Sequence, residues 1–186
     1  HSYNILMDEF CHSFYYQAVS IASALRCVNS EYVIKTRSDE SFSNLGAMVD
    51  KYFSSGEKYL SSNIFWKKCD WGHYHIGDHV FMAKTKDLVR SYDKMNFFFS
   101  RNISPMLGLC SEQAVSEQVD LDLGADFSPA LPVPLIPCNP EIITACFYLH
   151  SVGVKMSDVL DKTKRKKILY DNFQVVNVNE LGEYTI

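Results

Sequence analysis

Lys35, Arg37 and Asp39 stand at alternate positions in the stretch Tyr32-Val33-Ile34-Lys35-Thr36-Arg37-Ser38-Asp39-Glu40. Successive side chains of a strand point to opposite faces, so a strand continuing through them places all three on one face. Two cations and a carboxylate at a strand tip suit an anionic ligand held together with a divalent metal. The β-branched run before them predicts a strand buried along its length. The carboxyl edge of such a strand, in an open α/β sheet, is where ligands bind. The plainer reading is a strand that runs into a solvated turn.

A second constellation is Ile76-Gly77-Asp78-His79-Val80-Phe81-Met82. A carboxylate at the start of an apolar strand can act as a general base or hold a sugar hydroxyl. It can equally be a turn aspartate bonded to nearby backbone. Just before it, His73 and His75 join Asp78 and His79 in a set that can bind zinc.

The elements that must position these groups are legible from periodicity. Residues 12–28 carry a broad apolar stripe and predict a helix. A strand follows at 31–38. Phe42, Leu45, Met48, Val49, Tyr52 and Phe53 predict an amphipathic helix stopped by Ser54-Ser55-Gly56. Strands are expected over 58–65 and 75–83, then a helix capped by Thr85 that carries Leu88, Val89, Tyr92 and Met95. Strand and helix alternate through the first hundred or so residues, which argues for an α/β fold. Later, 111–119 predicts a helix, and 129–140 holds five prolines and must be largely extended or loop. Residues 142–149 suit helix or strand. A short helix over 157–161, a basic stretch over 162–167 and a strand over 168–176 complete the expected order.

In order and spacing these pieces resemble a GT-A glycosyltransferase, most closely the WavE-like polysaccharide-synthesis enzymes of bacteria and viruses. The resemblance spans roughly 14–95 and rests on Gln17-Ala18-Val19-Ser20 with Ala24-Leu25, then 31–39, then Ile76-Gly77-Asp78-His79-Val80-Phe81. It implies one GT-A domain over residues 1–186, with a mixed, mainly parallel central sheet flanked by helices and the first strand absent or near Tyr3 to Met7. It implies transfer of a sugar from a nucleotide-sugar, a UDP-sugar above all, to a hydroxyl of a glycan or glycoprotein. By the same resemblance Asp39 would hold Mn²⁺ or Mg²⁺ bridging the diphosphate, and Lys35 and Arg37 would contact phosphate or orient Asp39. Asp78 would be the base of an inverting transfer. The family's metal motif usually opens with Asp, where this chain has Arg37. Glu112-Gln113 or Glu117-Gln118 are assigned to the acceptor side.

Two other function classes remain open. The run from His73 to His79 resembles the HxHxDH motif of metallo-β-lactamase-fold hydrolases, but with one residue inserted, which turns His79 to the other face of a strand. A zinc hydrolase would use His73, His75 and His79. A non-catalytic carbohydrate-binding domain would bind sugar with no nucleotide or metal requirement. Trp66 and Trp71, near the histidine run, read as stacking on a sugar or acceptor, or as packing. His150 reads as packing, or as a late metal ligand of the GT-A kind. Lys162 to Lys167 read as a solvated turn.

Composition narrows the field. A net charge of −4 gives no global field to recruit nucleic acid, so any anion must be held by local groups. No apolar run approaches the roughly eighteen residues of a membrane span. Six scattered cysteines without a CxxC read as reduced thiols and point to a cytoplasmic protein. No signal peptide is visible, and a start at His1 is expected to be a processed, tagged or truncated end.

Overall fold

The computed structural model describes residues 2–64, 76–109, 140–155, 158–159, 161 and 163–185. In chain order the elements are α1 (Ser2–Leu25), β1 (Tyr32–Lys35), β2 (Ser41–Phe42), α2 (Gly46–Ser54), β3 (Tyr59–Ser62), β4 (Phe81–Lys84), α3 (Thr85–Leu109), α4 (Pro140–Ser151), α5 (Arg165–Asn172), β5 (Phe173–Val176), a 3₁₀ turn (Val178–Leu181) and β6 (Tyr184–Thr185).

Alternation along the strands builds two cores. Tyr59, Phe81, Ala83 and Phe173 face one side with Val33, where they meet Phe14, Ala18 and Ala22 of α1, Leu88, Tyr92 and Met95 of α3, and the apolar face of α4. Leu60, Met82 and Val176 face the other side with Tyr32 and Ile34, against Met48 and Tyr52 of α2 and Leu181 of the 3₁₀ turn. Helices thus cover both faces of one sheet, as strands apolar on both faces demand. Tyr59 anchors the first core. Its ring lies 5.1 Å from that of Phe81, 4.8 Å from Tyr148 and 5.5 Å from Phe173.

The sheet order is β1-β4-β3-β5. β1 and β3 each pair antiparallel with β4, and β3 pairs parallel with β5. The sheet is mixed, as expected, but two of its three pairings are antiparallel where mainly parallel ones were expected. The cause is β4, which lies between β1 and β3 and opposes both. This placement matters for the site, because Lys35 at the end of β1 faces Phe81 at the start of β4. The carboxyl ends of β1, β3 and β5 and the amino end of β4 share one edge. A second, two-stranded sheet pairs β2 with β6 and lies beyond that edge.

Several boundaries shift from expectation. β1 stops at Lys35, so strand alternation does not carry through Arg37 and Asp39. Of the strand expected over 75–83, residues 76–80 are not strand and 81–83 fall within β4, which runs on to Lys84. Residues 168–172, expected as strand, are helical: Ile168 is buried while Tyr170 is 76% exposed, a one-sided pattern that suits a surface helix. Residues 142–149 resolve as helix within α4. Residues 111–119 and 129–139 lie outside the described residues. Among the described residues no helix is long and apolar enough to cross a membrane.

Candidate functional site

The two sequence constellations meet at the shared sheet edge. Gly77 lets the chain before β4 approach β3 closely. A Cβ there would stand 2.6 Å from the main-chain oxygen of Ser62 and 3.0 Å from that of Ile64. This tight passage, with the antiparallel register of β1 and β4, delivers Asp78 and His79 beside the turn that follows Lys35.

Lys35 joins the two segments. Its ammonium donates to the main-chain oxygen of Asp78 and stands 5.6 Å from the centre of the Phe81 ring, a cation–π position. Burial lowers the Lys35 pKa, and the negative charge of Asp78 opposes that shift. From α1, Gln17 Nε2 donates to Asp78 Oδ2 at 3.5 Å. The Asp78 side chain is therefore held toward α1, on the side of the sheet whose core contains Tyr59 and Tyr92. Burial, and after it the charge of Asp78, pushes the Tyr92 hydroxyl upward in pKa.

Arg37 and Asp39 do come together, through a turn and not through strand alternation. The guanidinium forks the carboxylate, with Nε to Oδ1 at 3.0 Å and Nη2 to Oδ2 at 2.8 Å. Both residues are exposed at the surface. The bond from Arg37 is the main cause that takes the Asp39 pKa down to about 2.

Glu40 is the group that sequence reasoning passed over. Its side chain is 1% exposed. His79 Nδ1 hydrogen-bonds its Oε1, the Tyr184 hydroxyl donates to the same oxygen at 3.3 Å, and Arg37 Nε lies 3.5 Å away. Glu40 Oε2 is buried with no partner among the described residues. The sequence signal for Glu40 was its place in a charged turn. Tyr184, 144 positions away, had none.

The expected metal can be tested against these side chains. Both Asp39 oxygens are engaged by Arg37, and among the described residues no three His, Cys, Asp or Glu side chains converge as a metal-binding group. A site that uses Asp39 with phosphate oxygens and water would need Arg37 to release that carboxylate first. His73, His75, Trp66, Trp71, Glu112, Gln113, Glu117 and Gln118 lie outside the described residues, and with them most of the zinc-hydrolase and sugar-stacking sets. His150 is engaged elsewhere, with Nδ1 2.6 Å from the ammonium of Lys94. Within the basic stretch Lys164 pairs with Asp158 and Lys167 with Asp171. Cys27 and Cys146 are free thiols.

No protein-family model, curated protein or solved structure matches this chain.

Proposed function

We propose that this protein is a glycosyltransferase that moves a sugar from a nucleotide-sugar, a UDP-sugar in the first instance, to a hydroxyl of a glycan or glycoprotein. The observation that carries the reading is the convergence of 35–40 and 76–79 on one sheet edge, with Lys35 tied to Asp78. The reading is also supported by the mixed α/β sheet with helices on both faces, an architecture compatible with a GT-A domain.

In this proposal Arg37 turns from Asp39 to the diphosphate, which it can meet with the same two-pronged geometry. Lys35 adds positive charge behind it. Asp78 accepts the proton of the acceptor hydroxyl as that oxygen bonds to the anomeric carbon. The bond from the anomeric carbon to the phosphate oxygen breaks, its electron pair leaves with the nucleoside diphosphate, and the anomeric configuration inverts. Gln17 holds one Asp78 oxygen and so orients the other. As Arg37 turns to the diphosphate, Asp39 is released to hold the Mn²⁺ or Mg²⁺ that accompanies it.

A thermal-shift panel tests the reading. UDP, GDP, CMP and dTDP are each added with Mn²⁺, Mg²⁺ or EDTA. A ligand that binds the native state alone raises Tm by mass action. Stabilisation by one nucleotide, lost on Arg37→Ala, is the expected result and names the donor class. Asp78→Asn should keep that stabilisation and lose transfer. A folded chain that responds to none of the four nucleotides overturns the proposal.

A further inference from the structure

Lys94 of α3 meets α4 through His150, with its Nζ 2.6 Å from the imidazole Nδ1. Other lysines have different company. Lys51, Lys84, Lys164 and Lys167 each face a carboxylate, and Lys35 and Lys58 donate to main-chain oxygens. We propose that Lys94 is a nucleophilic amine that forms an imine with a phosphorylated aldehyde, with His150 as its hydrogen-bond acceptor and Arg90 as the cation that meets the phosphate. The site involves none of the residues of the sheet edge and does not depend on the transfer reading.

A carboxylate beside an ammonium keeps the proton on nitrogen. Lys94 has an imidazole in that place. An ammonium only donates, so Nδ1 of His150 accepts while Lys94 is charged. Arg90 stands four residues earlier on α3, which puts the two cations on one face of the helix. Burial lowers the Lys94 pKa, and the charge of Arg90 lowers it further. Desolvation and a neighbouring cation are the two means by which lysine amines become nucleophilic. Lys94 is only partly buried, and Arg90 is exposed, so a small molecule can reach both. A guanidinium meets phosphate oxygens with paired N–H donors. In the reaction the lone pair of the neutral amine adds to the aldehyde carbon. The carbonyl oxygen takes the two amine hydrogens and leaves as water, and a C=N bond remains. No oxidant or reductant is needed.

The test treats the full-length chain with limiting pyridoxal 5′-phosphate, fixes the adduct with borohydride and locates the modified lysines by peptide mass mapping. Lys86 is the internal control. It is exposed and also stands four residues from Arg90 on α3, but has no imidazole partner among the described residues. Lys94 should carry most of the adduct. Arg90→Met should slow labelling of Lys94 by the phosphate about threefold more than labelling by unphosphorylated pyridoxal, the scale of one exposed ion pair. His150→Phe, which keeps a ring and removes the acceptor, should slow labelling of Lys94 by both reagents. Equal labelling of Lys94 and Lys86 overturns the proposal. So does an Arg90→Met variant in which both reagents slow equally, or a folded His150→Phe variant labelled like the wild type. Should His150→Phe not fold, the wild type and Arg90→Met decide.

Discussion

The ammonium of Lys35 donates to the main-chain oxygen of Asp78, which ties the tip of β1 to the approach to β4. The bond holds backbone rather than carboxylate, so it fixes where Asp78 starts and leaves its side chain to Gln17 and to substrate. Lys35→Met keeps the aliphatic stem and removes the donor. The variant should stay folded and lose about 1–3 kcal/mol in urea unfolding, the usual scale for a hydrogen bond to a charged group. Nucleotide stabilisation in the thermal-shift panel should fall as well, because the charge behind the proposed diphosphate site is gone.

The Arg37–Asp39 fork makes a prediction about acid. Asp39 has a folded-state pKa of about 2 against an ordinary 3.8. A depressed carboxylate stabilises the folded state above its ordinary pKa, and that contribution is lost as pH falls through the folded value. The stabilisation from this pair should therefore be complete at neutral pH and should fade between 3.8 and about 2. A carboxyl ¹³C titration of Asp39 should follow the low value in the wild type and return to the ordinary range in Arg37→Met.

Gly77→Ala should damage both fold and site. The added methyl meets main-chain oxygen atoms of Ser62 and Ile64, neither of which can rotate away. Overpacking of this kind destabilises by about 1–3 kcal/mol. The urea midpoint should drop, and the shift should be visible in the amide signals of both Ser62 and Asp78. A silent substitution would mean that the approach of 76–78 to β3 is looser than described.

Tyr59→Phe should behave in the opposite sense. The Tyr59 hydroxyl is buried without a hydrogen-bond partner among the described residues, while its ring is packed by three aromatic neighbours. Removing an unsatisfied buried hydroxyl and keeping the ring should leave stability unchanged or raise it by up to about 2 kcal/mol. Chemical denaturation of the two proteins side by side gives the answer.

The periodicity of Met48, Val49 and Tyr52 announced α2, and the β-branched run at 32–34 announced β1, because each pattern is written in neighbouring residues. The convergence of Asp78 with Lys35 was implied only by the GT-A resemblance, because it depends on β4 running antiparallel to β1, which brings the start of β4 beside the end of β1. What could not be read was direction. Nothing near 81–84 tells whether that strand runs with β1 or against it, since the choice depends on which neighbour it inserts between. The enclosure of Glu40 was hidden in the same way. It is made by His79 and Tyr184, 39 and 144 positions away. The strand expected over 168–172 failed because Ile168-Leu169-Tyr170 is β-prone by residue type, whereas the surface helix there is decided by which single side chain finds the core.

The pairing of β2 with β6 also sets a schedule for biosynthesis. Glu40 leaves the ribosome 144 residues ahead of Tyr184. Chains fold largely in the order in which they emerge, and contacts of long sequence separation close last. A growing polypeptide can therefore form β1 and α2 while Glu40 still lacks its phenol partner and the strand that backs it. The edge cluster reaches its final form only after Thr185 has cleared the exit tunnel. Synthesis interrupted anywhere before that point yields a partly folded chain whose polar edge is still open.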